Sequence, residues 1–541
     1  MKLVIIGGVA TGMSTATRAR RLDEHAEIVV FEKSENVSYA NCGLPYYLSG
    51  VIENQSDLLL QTPSSLNLRF NLDVRVRHEV LSINKEDRTL EVKNLSTGEV
   101  FFEDYEKLVI ATGARANQLN LPGEERAQTL RTVEDVEGIK AAMDKSQSKT
   151  AVVIGAGFVG IEAAENLHKA GFKVTLITPG KQILSPFDPE IVEPFQERII
   201  ESGITIEFTS KAKEITDTEV ILEGGTSLPA SLVINAAGVT PDTALAKKAG
   251  LTINGGIWVN ELQQTSDENI YAGGDAALKR NGLTGMDALI PLANLANRHG
   301  RAIADAVFGF AGTPARSIGT AIIGAFGMTI AVTGLTEKTA KNYSVIHLHP
   351  SSHAGYYPGA KPISLKVLFD NETGLLLGAQ AVGEDGVDKR IDVLATAIKG
   401  KLTVSDLMDL ELSYAPQYGS AKDAINQAGY VGNNVQSGTT GVIQWHEIEE
   451  YQSQGWTLVD VRSLNEHQSG SIPRGINIPV DALRNNLSKL EGKRVLVHCQ
   501  VGQRGHTAAQ ILKGHGIQVL NVDGGYKTWH SGMNARKRTE V

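Results

Sequence analysis

Short, wholly apolar runs recur along the chain, and each passes directly into small or polar residues. That punctuation predicts most of the elements. Val4-Ile5-Ile6 has the purity of a strand buried on both faces, and the Ala- and Arg-rich stretch reaching Leu22 follows as a helix. Residues 27–33 then read as a second strand whose apolar run ends on Glu32. The same order returns as a strand over 151–154, a helix through Ala170 and a strand over 173–177. Further strand runs at 108–110 and 232–234 lead into small-residue turns. From Ile318 to about Tyr430 apolar strand runs alternate with helical ones. Beyond the polar, Gly-rich stretch 432–441, which reads as a linker, strand runs at 458–462 and 495–498 open a last segment of about 100 residues, enough for one small domain. Strands alternating with helices imply parallel sheets covered on both faces.

Composition narrows the class. A length of 541 residues allows roughly three to four domains. Apolar content of 42% with 21% charged residues is that of a globular protein, and the net charge of −9 argues against non-specific binding to nucleic acid or to an anionic membrane surface. The opening Met1-Lys-Leu-Val-Ile-Ile-Gly-Gly8 turns to glycine too soon for a signal segment. The longest nearly apolar stretch, 321–332, is broken by Gly324 and Gly327 and is too short to cross a bilayer. The expectation is a soluble, cytoplasmic protein in a reducing compartment, with no nucleic-acid or membrane partner.

The turns carry the chemistry. Gly7-Gly-Val-Ala-Thr-Gly12 joins the first strand to its helix, and Glu32 follows twenty residues after Gly12. This is the layout of a dinucleotide site, in which a helix N-terminus takes the pyrophosphate and an acid binds a ribose hydroxyl. Val9 replaces the middle glycine. The second loop, Gly155-Ala-Gly-Phe-Val-Gly160, keeps all three glycines. Its following strand ends on Thr178 rather than an acid, with Lys181 nearby, so the choice between NADH and NADPH stays open with a lean towards NADPH.

In order along the chain these loops, Leu108-Val-Ile-Ala-Thr-Gly113, Leu232-Val-Ile-Asn-Ala-Ala-Gly238 and Thr265 to Asp275 resemble the pyridine nucleotide–disulfide oxidoreductases over residues 1 to about 430. The resemblance implies FAD on Gly7, Gly8, Gly12, Glu32, Lys33, Val80, Thr112, Gly113 and Asp275. It places the nicotinamide dinucleotide on Gly155, Gly157, Gly160 and Thr178. The fold class it implies is α/β, with two nested Rossmann-like domains: 1–112 and 245–317 for FAD, and 113–244 for NAD(P)H. An α+β dimerisation domain over 318–431, the linker at 432–441 and a C-terminal α/β domain over 442–541 complete the expected order.

Only two cysteines occur, Cys42 and Cys499, each in a Gly-rich turn and far from the other, which makes neither a metal site nor a disulfide framework. No second cysteine follows Cys42 in Cys42-Gly-Leu-Pro-Tyr-Tyr47. A lone thiol beside a flavin cycles either by pairing with an external sulfur or through a sulfenic acid. The oxidases and peroxidases of the family carry a histidine in the first Gly loop, where Ala10 stands here. Ser38-Tyr-Ala-Asn-Cys42, Gln61-Thr62, Ala354-Gly-Tyr-Tyr-Pro-Gly359 and Leu412 to Lys422 are similar to the coenzyme A-disulfide reductase branch. That resemblance implies coenzyme A held by Ser14, Arg18, Arg21, Ser38, Asn41, Gln61, Thr62, Asn297 and Lys422. It also implies that Tyr356 and Tyr414 reach Cys42 from the partner subunit of a homodimer. Basic groups suit the phosphates of coenzyme A, and a tyrosine hydroxyl can protonate a departing thiolate.

The C-terminal segment resembles a single rhodanese domain, with Leu458-Val-Asp-Val-Arg462 and Val522-Asp-Gly-Gly525 as landmarks. Cys499-Gln-Val-Gly-Gln-Arg504 runs from a strand into a helix expected near Gly505. Successive backbone N–H groups and the helix N-terminus favour a thiolate or a persulfide anion there, with Cys499 and Arg504 as the catalytic pair. The combined expectation is an NAD(P)H-dependent FAD enzyme. It would reduce coenzyme A persulfide, polysulfide or coenzyme A disulfide through Cys42, with Cys499 carrying sulfane sulfur. The alternatives are an NADH oxidase or peroxidase cycling Cys42 through a sulfenic acid, and a sulfur-carrier or redox-sensing protein that serves a protein acceptor.

Overall fold

The computed structural model of the chain describes residues 1–310 and 316–540. Residues 311–315, within the stretch 245–317 expected to bind the flavin, and Val541, at the end of 442–541, lie outside the described residues. The chain divides into two compact units: residues 1–179 with 204–317, and residues 180–203 with 318–541.

In the first unit the apolar runs become two parallel sheets. The first has the order Ile270–Ala272, Lys107–Ile110, Lys2–Ile6, Glu27–Glu32, Asp73–Val76. Its central strands are buried on both faces, which is why they read as unbroken apolar runs rather than as alternation. The helix Ala10–Leu22 links two of them and packs along the helix Ala293–Val307. The second sheet repeats the plan, ordered Thr205–Glu207, Lys173–Ile177, Thr150–Ile154, Leu232–Asn235, Ala127–Thr129, with the helix Phe158–Lys169 as its first crossover. In both sheets the Gly loop leaves a central strand at its C-terminal end, where strand order reverses and a crevice opens. An antiparallel ribbon of Ala114–Ala116 and Val239–Pro241 marks the two crossings between these halves. Thr112 and Gly113 stand at that crossing, where the Thr112 hydroxyl donates to the Asp242 carbonyl at 2.7 Å.

In the second unit an antiparallel sheet, ordered Ala321–Ala325, Met328–Gly334, Leu376–Gly383, Ile363–Asp370, Tyr343–Leu348, is covered by the helix Val387–Lys399. The interrupted stretch 321–332 is thus two strands of a hairpin, and no helix among the described residues is long and apolar enough to cross a membrane. The C-terminal sheet is parallel, ordered Val442–Ile443, Val519–Val522, Val495–His498, Thr457–Asp460, Ile476–Asn477.

One expectation is corrected by the structure. Residues 432–441 are not a free linker: 432–436 complete the helix Ala424–Gln436, and Thr440 is buried with its hydroxyl 2.7 Å from His506 Nδ1. The polar, Gly-rich composition reads as a linker, but packing overrides it, because Gly432 fits against Val404, where a Cβ would come within 2.1 Å of that side chain. The helix Pro189–Glu201 belongs to the second unit, where it packs on the antiparallel sheet and on the helix Gly525–Glu540.

Candidate active site

The two Gly loops impose the same steric demands. Gly7 and Gly155 have φ of +108° and +114°, and a Cβ on either would sit 2.3 Å or 2.2 Å from a facing carbonyl, that of Ala111 or Ala236. Gly12 and Gly160 let each helix close onto its own loop, since a Cβ would meet the carbonyl of Gly7 or Gly155. Gly157, the middle glycine, faces open space, as a backbone that must approach a pyrophosphate should.

Around the first loop the buried polar groups fit FAD. Glu32 ends its strand with one carboxylate oxygen accepting from the Gly8 N–H at 2.8 Å and the other from Ser34. Asp275 Oδ1 and Arg131 NH1 are buried with no hydrogen-bond partner, the kind of orphan pair a polar cofactor satisfies. Burial pushes the Asp275 carboxyl up, with Lys279 and Arg131 opposing. Lys33 is exposed beyond the strand, and Val80 lies in the core with its backbone paired to Val92. In the second sheet Thr178 is buried at the strand end, its N–H bonded to the Glu207 carbonyl at 3.0 Å. An acid therefore stands at the end of the neighbouring strand, a position that reading along one strand misses.

Cys42 sits on a single turn, Asn41–Gly43, that lines a cleft of about 510 Å³. The turn forms here because Gly43 packs against Leu58, where a Cβ would come within 2.6 Å, and because Tyr39 bridges to Leu59. The cleft brings together Ser14, Arg21, Ser38, Asn41, Gln61 and Asn297. Asn297 is oriented by the Ser14 hydroxyl, which donates to it at 2.7 Å. Arg21 lies over the Phe70 ring at 5.0 Å, and Arg69 adds a second guanidinium to the lining. The family's basic contact near Arg69-Phe70 has no clear alignment in the sequence and stays unassigned there; the helix Pro63–Phe70 carries Arg69 to this wall.

Other residues expected to bind the substrate fall outside this lining. Arg18 does not line the cleft, since Asp305 holds its Nε at 2.7 Å. Thr62 caps the helix Pro63–Phe70 with its hydroxyl and is likewise absent from the lining. Lys422 is exposed in the second unit. Tyr356 and Tyr414 also lie there, exposed, with their hydroxyls 2.8 Å apart. Ala10 opens onto the cleft, and among its described lining residues there is no histidine or carboxylate. The Cys42 thiol is exposed, yet desolvation by the cleft wall pushes it above its ordinary value, and Glu162 and Asp275 add to this. Glu162 accepts from the Tyr46 hydroxyl at 3.3 Å, and burial raises its own carboxyl to about 7.

The second thiol is built differently. Cys499 ends the strand Val495–His498, and the helix Gln503–Gly514 begins two residues earlier than expected, so Gln503 and Arg504 form its first turn. The Gly502 N–H donates to Cys499 Sγ at 3.2 Å. Cys499 is fully buried, in one core cluster with Val497 and Ala508. Arg504 is clamped by Glu466 through two bonds of 2.8 and 2.6 Å. The Arg504 hydrogen bonds hold the Glu466 carboxyl at about 2. The buried Arg462 grips Asp460, reaches Gln500 in the loop at 3.0 Å and stacks over Tyr526 at 4.3 Å.

Two Gly-loop sheets bearing a lone exposed thiol, followed by an antiparallel domain and a small parallel domain with a loop cysteine, define a dinucleotide-dependent thiol oxidoreductase fused to a sulfur-handling module. Residues 1–300 match the pyridine nucleotide-disulphide oxidoreductase family, 321–424 its dimerisation domain and 444–532 the rhodanese-like domain. The chain belongs to the pyridine nucleotide-disulphide oxidoreductase family, whose members depend on FAD and NAD(P)H, and it carries a C-terminal rhodanese-like domain. It is 36% identical over 434 residues to a coenzyme A disulfide reductase of Staphylococcus epidermidis, an alignment spanning 79% of this chain and 99% of that one. Among solved structures it resembles the reduced CoADR-RHD of Bacillus anthracis (43% identity, TM-score 0.96, covering 99% of this chain and 98% of that one). It also resembles a NAD-dependent persulfide reductase from A. fulgidus (33% identity, TM-score 0.91, covering 98% and 100%).

Proposed function

We propose that this flavin-dependent oxidoreductase reduces coenzyme A persulfide, polysulfide or coenzyme A disulfide with NAD(P)H, with Cys42 as the redox thiol and Cys499 as a carrier of sulfane sulfur. The observation that carries the reading is the Cys42 cleft, which has two guanidiniums, amide and hydroxyl groups, and alanine where a sulfenate-forming enzyme needs an acid–base group. Arg21 and Arg69 meet the phosphates of the nucleotide end, while Asn41, Ser38 and Asn297 offer hydrogen bonds to the amide-rich arm. The Cys42 thiolate attacks the sulfur bonded to coenzyme A. A Cys42–S–S–coenzyme A bond forms, the original S–S bond breaks, and the displaced sulfur leaves as a thiolate or hydrosulfide that takes a proton. Gly7, Gly8, Gly12, Glu32 and Asp275 would hold FAD, which would supply a two-electron relay from NAD(P)H. Those two electrons cleave the mixed disulfide to the Cys42 thiolate and the coenzyme A thiol. Tyr356 and Tyr414 of a second copy protonate the departing thiolate, which accounts for a hydrogen-bonded tyrosine pair left exposed in one copy. A reducing cytoplasm keeps both thiols free.

The test is steady-state kinetics with coenzyme A disulfide, coenzyme A persulfide and polysulfide, using NADH and NADPH separately, together with mass spectrometry of Cys42 after substrate without NAD(P)H. A coenzyme A adduct on Cys42 is expected. A sulfenic acid in its place, with fast peroxide or oxygen turnover, would overturn the reading in favour of the oxidase.

A further inference from the structure

Behind the Cys499 loop lies a layer that belongs to a different domain. The turn Asp523-Gly-Gly525 packs directly on the loop. A Cβ on Gly525 would lie 2.5 Å from the Cys499 carbonyl, and the backbone N–H groups of Tyr526 and Lys527 donate to the carbonyls of Cys499 and Gln500 at 2.8 and 3.0 Å. On its other side the turn meets the edge strand Tyr343–Leu348 of the antiparallel sheet. Asp523 Oδ2 accepts from the His347 backbone N–H at 2.8 Å and lies 2.7 Å from its Nδ1, while His347 Nε2 lies 3.1 Å from Glu190 Oε1. Two residues on, His349 Nε2 is 2.8 Å from the Thr528 hydroxyl and its Nδ1 3.0 Å from that of Ser364. His347 on this strand and His349 just beyond its end thus latch the segment that supports the Cys499 loop.

We propose that His347 is a positioning residue for sulfur transfer at Cys499, holding through Asp523 the turn that leads into the helix Gly525–Glu540, whose first N–H groups fix the carbonyls of the Cys499 loop. The inference rests on the reading of Cys499 as a sulfur carrier. It makes the edge strand of the dimerisation domain part of the sulfurtransferase site.

An imidazole between two carboxylates donates from both ring nitrogens only when protonated. Burial alone would lower the His347 ring, but its hydrogen bonds to Asp523 and Glu190 outweigh this, against Lys366, and hold it at about 9. The other charged groups facing this layer are Lys366 on the next strand, bridged to Asp188, Glu190 and Glu337, and Lys527 beside His349. Burial first, then Lys527 and His347, keep His349 well below the ordinary histidine value, so it takes part as a neutral hydrogen-bonding ring. The raised His347 value gives the sign: the latch is complete below about pH 6.5 and is lost as pH rises through about 9.

The test uses the full-length holoenzyme. The rate of persulfide loading on Cys499 from thiosulfate, read by mass spectrometry, is followed from pH 6 to 10 in wild type, His347→Ala and His347→Gln, beside NAD(P)H-dependent coenzyme A disulfide reduction. We expect His347→Ala to slow loading on the order of tenfold to a hundredfold while coenzyme A disulfide reduction is kept. His347→Gln, which keeps one donor towards Asp523, should recover part of the loss and abolish the alkaline limb near pH 9 that wild type shows. Loading by both variants at the wild-type rate and with the wild-type pH profile overturns the inference. So does joint loss of both reactions in both variants, which marks a residue needed only for folding. Failure of wild type itself to load sulfur overturns the carrier reading and the inference with it, an outcome distinct from the other two.

Discussion

At the residue scale the two thiols differ in the property that matters for reactivity. Cys42 is exposed with an elevated thiol, and Cys499 is enclosed beneath its own loop. Iodoacetamide added to the reduced protein should therefore modify Cys42 before Cys499, with a rate that climbs into alkaline pH as the raised Cys42 thiol ionises. Peptide mass spectrometry over a time course reads both. Glu466 is legible only in part. Its Ser463-x-x-Glu466 spacing marks a helix cap, but nothing local says that the same carboxylate clamps Arg504. Glu466→Gln should lower Cys499 loading on the order of tenfold by freeing Arg504, and leave NAD(P)H oxidation with coenzyme A disulfide unchanged. The Glu466 value, depressed to about 2, means that the clamp is present above the ordinary glutamate range and is lost only as pH falls towards 2.

At the element scale the apolar runs were sufficient for the strands beside both Gly loops, because a strand buried on two faces must be apolar at every position. The surroundings of the helix Pro189–Glu201 have no local signal, since they are set by ion pairs distant in sequence. Its Glu190 and the preceding Asp188 meet Lys366, which is fully buried and also paired with Glu337. Lys366→Met leaves these carboxylates without their cation and should cost about 3–5 kcal/mol, read by denaturant unfolding of the holoenzyme. Gly525 is held at φ +65° against the Cys499 carbonyl. Gly525→Ala should cost about 1–3 kcal/mol and displace the loop, seen as slower persulfide loading together with a lower Tm.

At the scale of the whole molecule the tyrosine pair carries a prediction about the second copy. If Tyr356 and Tyr414 act across a dimer, neither a Cys42→Ser chain nor a Tyr356→Phe/Tyr414→Phe chain is active alone. Each hybrid then contains one intact pairing of thiol and tyrosines. Mixing the two after reversible dissociation should restore about a quarter of wild-type activity, from one working site in each hybrid of a random mixture. Tyrosines that act within their own chain would give no recovery. Size-exclusion chromatography with light scattering checks the dimer itself.

By itself the sequence determined the two dinucleotide loops, the lone thiol without a partner cysteine and the sulfur loop at the C-terminus. Each is a local pattern whose spacing is dictated by backbone geometry or by bond chemistry. Tertiary structure decided what those patterns face. It brought Arg69 to the wall of the Cys42 cleft and turned Arg18 away to Asp305. It buried Cys499, and it set His347 and Lys366 among carboxylates from separate segments. Such contacts join residues many positions apart, and a buried charge is stable only where the fold brings its partners to it, so no local pattern records them.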